Sequence, residues 1–145
     1  MIRILLGDPL DDYNYVSCHG GDLVATGKAS YFKLVNIRQC HSPDAIEQSR
    51  LLSRIHSPNI ATVYGLYCDG NKIFVVTEHL DIFLSQLEVR KYELEEWEMA
   101  TIIAEVLKGI AYISSLKLSC RNLSGANIKL SLDGDIKLSK FILTL

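Results

Sequence analysis

The hydrophobic pattern of this chain changes period near Asp81, and that change limits the fold more than any other feature. Upstream, apolar residues fall in short β-branched and aromatic runs: Tyr13 to Cys18, a break at Gly20-Gly21, Leu23 to Ala25, a turn at Thr26-Gly27-Lys28, then Tyr31 to Ile37. Runs of this kind between turn residues predict strands. Two more strands, Ala61 to Tyr67 and Lys72 to Thr77, flank Asp69-Gly70-Asn71, and an Asp-Gly pair between apolar runs is a strong hairpin signal. Downstream of Asp81 the spacing becomes helical. Met99, Ile102, Ile103, Val106, Leu107 and Ile110 recur as one amphipathic stripe. The chain closes on a second alternating segment, Ile128, Leu130 and Leu132, then Ile136 and Leu138 beyond Asp133-Gly134, which predicts a final hairpin.

One helix interrupts the first half. Ser42 suits its N-cap, Pro43 its first helical position, and Asp44 complements the helix dipole. It runs to about His56 and stops before Pro58, because the residue ahead of a proline avoids the helical region. Phe83, Leu84 and Leu87 predict a short helix, and a long one covers Trp97 to Ser115. Strands with one helix, followed by a mainly helical part, predict an α+β protein of two lobes, residues 1–80 and 81–145.

Composition narrows the function. The 145 residues carry a formal net charge of −2, which argues against nucleic acid as a main partner, since phosphate binding needs clustered basic excess. No apolar run reaches the 18 or more residues of a membrane span. The start, MIRILLGDPLDD, makes a poor signal peptide, so an intracellular location, cytoplasmic or nuclear, is expected. Cys18, Cys40, Cys68 and Cys120 contain no CxxC pair and are expected as free thiols. Cys18-His19 and Cys40-His41 offer zinc-type ligands, but adjacent residues rarely converge on one tetrahedral centre. No metal or cofactor is expected.

Across nearly the whole chain the residues resemble those of a eukaryotic-type protein kinase. Thr26-Gly27-Lys28-Ala29-Ser30-Tyr31-Phe32-Lys33 is similar to the T-G-x-x-V-A-I-K run, with Lys33 at the lysine that meets the nucleotide phosphates. Gln48, fifteen residues on, falls where a helix glutamate pairs with that lysine. Ser57-Pro58-Asn59-Ile60 resembles H-P-N-I, and Val75 to Leu80 resembles the fifth strand and hinge, with Thr77 as gatekeeper. Cys120-Arg121-Asn122-Leu123, with Asn127 five residues past Asn122, keeps the spacing of the catalytic loop H-R-D-L-x-x-x-x-N. Lys140-Phe141-Ile142 falls on D-F-G. Short motifs in the right order and structural context count for more together than any one of them does alone. The resemblance implies a complete upper lobe, an antiparallel sheet plus one helix, followed by the first part of a helical lower lobe. It also assigns Lys33, Glu78, Leu80 and Asn127 to a degenerate nucleotide cleft.

The departures fall on the chemistry. Phosphoryl transfer depends on positioning and charge, and the family's catalytic aspartate is here Asn122, a neutral amide. Losing a general base alone typically costs about 10²–10⁴ in rate. Lys140 stands where the resemblance puts a magnesium-binding acid, and magnesium wants carboxylate oxygens. If Gly7 opens the phosphate loop, Gly7-Asp8-Pro9-Leu10-Asp11-Asp12 puts three carboxylates there; the other reading is an acidic solvated turn. Tyr31, in place of a small alanine, either fills nucleotide space or packs as a core tyrosine. These substitutions lead to the expectation of a non-enzyme: a pseudokinase with no catalytic residues, serving as a protein-interaction or regulatory module. The rivals are an ATP-binding kinase, with residual activity or completed by further sequence, and a functionless remnant. Because the chain stops at Leu145, before any activation segment, the helix face from Met99 to Ile110 is expected to meet a protein partner or a second copy.

Overall fold

The β-branched runs of the first half form the strands of one sheet. The computed structural model describes residues 3–19, 22–40, 44–139 and 142–144, leaving aside the side chains of His19, Ser30, Tyr31, Phe32, Glu88 and Ile142. Five expectations lie outside the described residues: the Gly20-Gly21 break, the Ser42 cap, Pro43, the Tyr31 ring and the Lys140-Phe141 pair.

The chain divides into two compact units. The first, Met1–Arg54 with Thr62–His79, contains β1 (Arg3–Leu6), a 3-10 turn (Pro9–Asp11), β2 (Tyr13–His19), β3 (Asp22–Gly27), β4 (Ser30–Cys40), α1 (Ala45–Ser53), β5 (Val63–Asp69) and β6 (Lys72–Glu78). The strand order is β1-β5-β6-β4-β3-β2. β1 runs parallel to β5 and the other neighbours are antiparallel. The expected strands are all present, and β1 is an addition; its four residues are too few to announce a period. α1 starts at Ala45, with Asp44 at its cap in helical geometry and no side-chain capping bond.

Side chains directly opposite one another share a sheet face, and a shift of one residue reverses the face. Val35 opposes Glu78, Asn36 opposes Thr77, and Ile37 opposes Val76. Val35, Ile37 and Val76 join Ala25 and Tyr67 in a buried cluster that also gathers Leu5, Tyr13, Leu23, Tyr64 and Phe74. Asn36 and Thr77 therefore lie on the other face. Leu66 and Val75, themselves a facing pair, are buried outside this cluster.

The second unit, Ile55–Ala61 with Leu80–Leu145, contains β7 (Ile82–Phe83), α2 (Leu84–Val89), α3 (Glu96–Ser115), β8 (Ser119–Arg121), β9 (Ile128–Leu130), β10 (Ile136–Leu138) and β11 (Ile142–Thr144). β10-β9-β7 form a three-stranded sheet and β11 pairs with β8. The closing hairpin thus gains a third strand that Ile82 and Phe83 alone were too short to signal. α3 opens on a capping box in which the Glu95 N–H donates to Glu98 Oε2 at 2.8 Å, satisfying a donor that the first turn leaves open.

The hinge of the second unit is Asn59. The Leu138 N–H donates to Asn59 O at 2.8 Å, the Ala61 N–H donates to Leu138 O at 2.9 Å, and Ile60 bridges Leu138. Asn59 Nδ2 donates to Glu105 Oε2 at 2.5 Å and to Ile136 O at 3.3 Å. These bonds attach the Pro58-Asn59-Ile60 turn to the second unit, whereas the sequence reading placed it within residues 1–80. No described helix is long and apolar enough to cross a membrane.

Candidate functional site

The loop between β8 and β9 is built around one side chain. Asn127 Oδ1 accepts from the Ser124 N–H at 3.1 Å and from the Ser124 hydroxyl at 3.1 Å. The Asn127 N–H returns a bond to Ser124 O at 3.0 Å, and the Ser139 N–H donates to Asn127 O at 2.8 Å. Asn and Ser close turns through such local bonds, which replace backbone pairing where the chain reverses. Asn122 sits in the left-handed region, at φ 60°, which asparagine tolerates better than most residues. Arg121 and Cys120 lie on β8, where they oppose Ile142 and Leu143 of β11. Burial pushes the Cys120 thiol up from its ordinary pKa, so it stays protonated and inert.

Leu80 is buried. Its neighbour Asp81 accepts from the Leu132 N–H at 3.0 Å, which fixes the entry to β7 within the second unit. In the first unit Glu78 ends β6. Its N–H donates to Thr62 O at 2.8 Å, and its Oε2 accepts from the Thr62 N–H at 3.1 Å.

Lys33 lies on β4. It belongs to the face of Val35, its ammonium 4.2 Å from the Tyr64 ring centroid, and among the described residues it makes no bond to Gln48. The β3–β4 register sets this orientation, with Leu34 opposing Thr26 and an irregularity between Thr26 and Gly27. Spacing within a motif carries no information about such a shift, and one residue decides the face. The position opposite Thr77 belongs to Asn36. Asn36 is buried, with its Oδ1 2.6 Å from His79 Nδ1 and its Nδ2 donating to Asp22 Oδ2 at 3.4 Å. The sequence reading missed this polar group; a lone Asn within an apolar strand was the available signal.

The acidic segment after Gly7 is also redefined. The Gly7 N–H donates to Cys68 O at 2.8 Å, which ends β1, and a φ of 124° there favours glycine. From Gly7 the chain passes from β1 at one sheet edge to β2 at the other. It is a crossover and not the turn of a hairpin, so it does not supply a phosphate loop. Asp8 Oδ1 caps the Leu10 N–H at 2.8 Å, and Asp12 Oδ2 accepts from the Tyr67 hydroxyl at 2.6 Å. The neighbouring strands β2 and β3 are the ones that pair as an antiparallel hairpin.

The family model for the protein kinase domain matches residues 17–144. The chain belongs to the protein kinase family. It is 31% identical over 132 residues to the serine/threonine-protein kinase TAO3 of Homo sapiens, an alignment covering 89% of this chain and 14% of that protein. It is 35% identical over 99 residues to the serine/threonine-protein kinase TAO1-B of Xenopus laevis, covering 68% of this chain and 10% of that protein. To the serine/threonine-protein kinase PLK4 of Nematostella vectensis it is 26% identical over 151 residues, covering 94% of this chain and 15% of that protein. The chain thus spans about a seventh of the length of TAO3.

These relatives correct one expectation drawn from Asn122 and Lys140. A non-enzyme was expected, yet the proteins matched across most of this protein kinase chain are named as serine/threonine-protein kinases. The expectation of a non-enzyme is therefore withdrawn. The reason for the miss is physical: the catalytic loop was judged by two side chains, whereas the match extends over both units.

Proposed function

We propose that this chain acts in serine/threonine-kinase signalling as a regulatory, protein-interacting part of a kinase-type protein. One observation carries this reading. α3 has two apolar stripes where one would suffice for its own unit. Ile102, Gly109 and Ile113 are buried, and the helix packs against β10 and β8. Met99, Ile103 and Leu107, spaced by four residues, are 42%, 50% and 57% exposed. They form a continuous line on the helix surface. A soluble monomer rarely leaves such a line open, so the Met99 to Ile110 face is the docking surface for a protein partner or a second copy.

A second reading, nucleotide binding in the manner of a serine/threonine kinase, is favoured by the loop that Asn127 holds. On that reading Leu80 and Asn127, both of the second unit, contact the nucleotide. The melting temperature with and without millimolar ATP and Mg²⁺ tests it, since ligand at 100 times its dissociation constant adds about 2.7 kcal/mol. A metal-dependent rise supports nucleotide binding, and its absence at saturating concentration refutes it. Sedimentation tests the docking surface. Concentration-dependent association, abolished by Ile103→Glu with Leu107→Glu, is expected for a second copy. A monomer at high concentration that binds no hydrophobic dye refutes the interaction reading.

A further inference from the structure

The sheet of the first unit carries a cavity of about 630 Å³ on the face of its buried cluster, the face opposite to Thr77. Its size lies within the usual range for small-molecule sites. The crossover from Gly7 to Asp12 forms one rim, and the lysine of the β3–β4 turn closes another, the Lys28 N–H donating to Asp12 O at 2.9 Å.

Two kinds of surface meet there. Tyr13, Tyr64 and Tyr67 supply the aromatic walls. Tyr13 and Tyr67 meet edge to face, with centroids 6.2 Å apart, and Tyr67 is fixed by its bond to Asp12. Burial first, and the Asp12 hydrogen bond second, push the Tyr67 phenol up, so it remains a neutral donor. The other surface is cationic. Arg3, Lys28 and Lys33 all line the cavity, and among the described residues none of the three forms an ion pair. An ammonium has three donors, and the Tyr64 ring satisfies at most one of those on Lys33. Of the two carboxylates at the rim, Asp12 is engaged by Tyr67, while Asp11 is exposed.

We propose that this cavity binds a small planar aromatic ring bearing one anionic group, a phosphate or a carboxylate. The ring lies against Tyr13 and Tyr64, and the anion takes the open donors of Lys33 with help from Arg3 and Lys28. Charged hydrogen bonds of this kind are stronger than neutral ones, and aromatic walls favour stacked or edge contacts with a planar partner. The site is independent of the nucleotide reading above, because neither Leu80 nor Asn127 lines the cavity.

The probes are 1-naphthyl phosphate and 1-naphthoate, with 1-naphthol and inorganic phosphate as the separate halves. Calorimetry on the whole chain is expected to give saturable binding of at least one aromatic anion, with a dissociation constant of about 10–100 µM from ordinary ligand efficiency. The two halves bind at least about tenfold more weakly, because each forfeits one of the two surfaces. Comparing the two aromatic anions identifies which acid the site prefers. Lys33→Met and Tyr64→Ala each weaken binding by about tenfold, and Lys33→Arg retains it. Nuclear Overhauser contacts from the naphthyl protons to the Tyr13 and Tyr64 rings in the unaltered chain locate the ligand without reliance on any variant. Three results each overturn the proposal: no saturable binding at millimolar concentration, unchanged binding by Lys33→Met, or contacts to Met99, Ile103 and Leu107 in place of the tyrosines.

Discussion

Replacing Gly109 by alanine sets helix propensity against packing, and the structure decides the sign. Alanine is favoured over glycine in a helix interior by about 1 kcal/mol. At an exposed site on α3 the substitution would therefore stabilise. At Gly109 an added Cβ meets Leu138 Cδ1 at 3.1 Å, Asn59 O at 3.2 Å and Asn59 Cβ at 3.4 Å. Leu138 is fully buried, so its methyl has little room to turn aside. Asn59 O is backbone and accepts the Leu138 N–H at 2.8 Å, so moving it strains the bond that joins the Asn59 turn to β10. Overpacking of this kind costs about 1–3 kcal/mol. The balance is a net loss of about 1 kcal/mol once the propensity gain of Gly109→Ala is subtracted. For a chain of this size that lowers the melting temperature by about 3 °C. Differential scanning calorimetry reads the change, with Ala111→Gly at an exposed position of the same helix as the reference for pure propensity. Leu138→Val shortens the side chain nearest the new methyl, so the double variant with Gly109→Ala should lose less than the sum of the two singles. A higher melting temperature for Gly109→Ala alone would refute the reasoning, because helix propensity would then outweigh contact with Asn59 and Leu138.

Three further outcomes follow from other contacts. Asn127→Ala removes the acceptor for both Ser124 donors at a cost of about 1 kcal/mol; hydrogen exchange at Ser124 should quicken, and unchanged exchange would show that the turn holds without it. Tyr67→Phe deletes the donor to Asp12 and should destabilise by about 1 kcal/mol in urea titration, the exposed carboxylate regaining water. The Lys108 hydrogen bond first, and that of Asn59 second, hold the Glu105 carboxyl below its ordinary pKa. A depressed folded-state pKa stabilises above the unfolded value and is lost as pH falls through the folded one. Glu105→Gln should therefore flatten the acid limb of a melting-temperature profile below about pH 4.5, and an unaltered limb would remove Glu105 from the account.

The fold was legible wherever local pattern was long. The β2–β3 and β5–β6 hairpins, α3 and the β9–β10 hairpin all follow from periodicity and turn residues, and α3 begins one residue ahead of the Trp97 expected from sequence. Short partners were not legible. β1, β7 and β8 have four, two and three residues, too few for a period, and each exists because a neighbour supplies its hydrogen bonds. The site was legible by type and order but not by direction. Asn127 was assigned by resemblance to the nucleotide cleft, and its Oδ1 closes the turn with Ser124. Lys33 was assigned by resemblance to a degenerate nucleotide cleft, and its ammonium lies 4.2 Å from the Tyr64 ring centroid. Gly7 was a candidate for the phosphate loop and instead ends an edge strand, because the parallel pairing of β1 with β5 could not be foreseen from four residues.

By itself the sequence determined the family, the order of elements and the residue types in the catalytic-loop turn. These depend on spacing and local propensity, which are properties of neighbouring residues along the chain. Tertiary structure alone decided which sheet face each strand residue presents, and so set Lys33 beside Tyr64 in the tyrosine-walled cavity. It also decided that one apolar stripe of α3 is buried while Met99, Ile103 and Leu107 stay exposed. Both outcomes depend on register and on which surface a distant segment covers. A one-residue shift of register costs little in local propensity and reverses every side chain on a strand, so it is the pairing across the sheet, not the order along the chain, that sets where the chemistry faces.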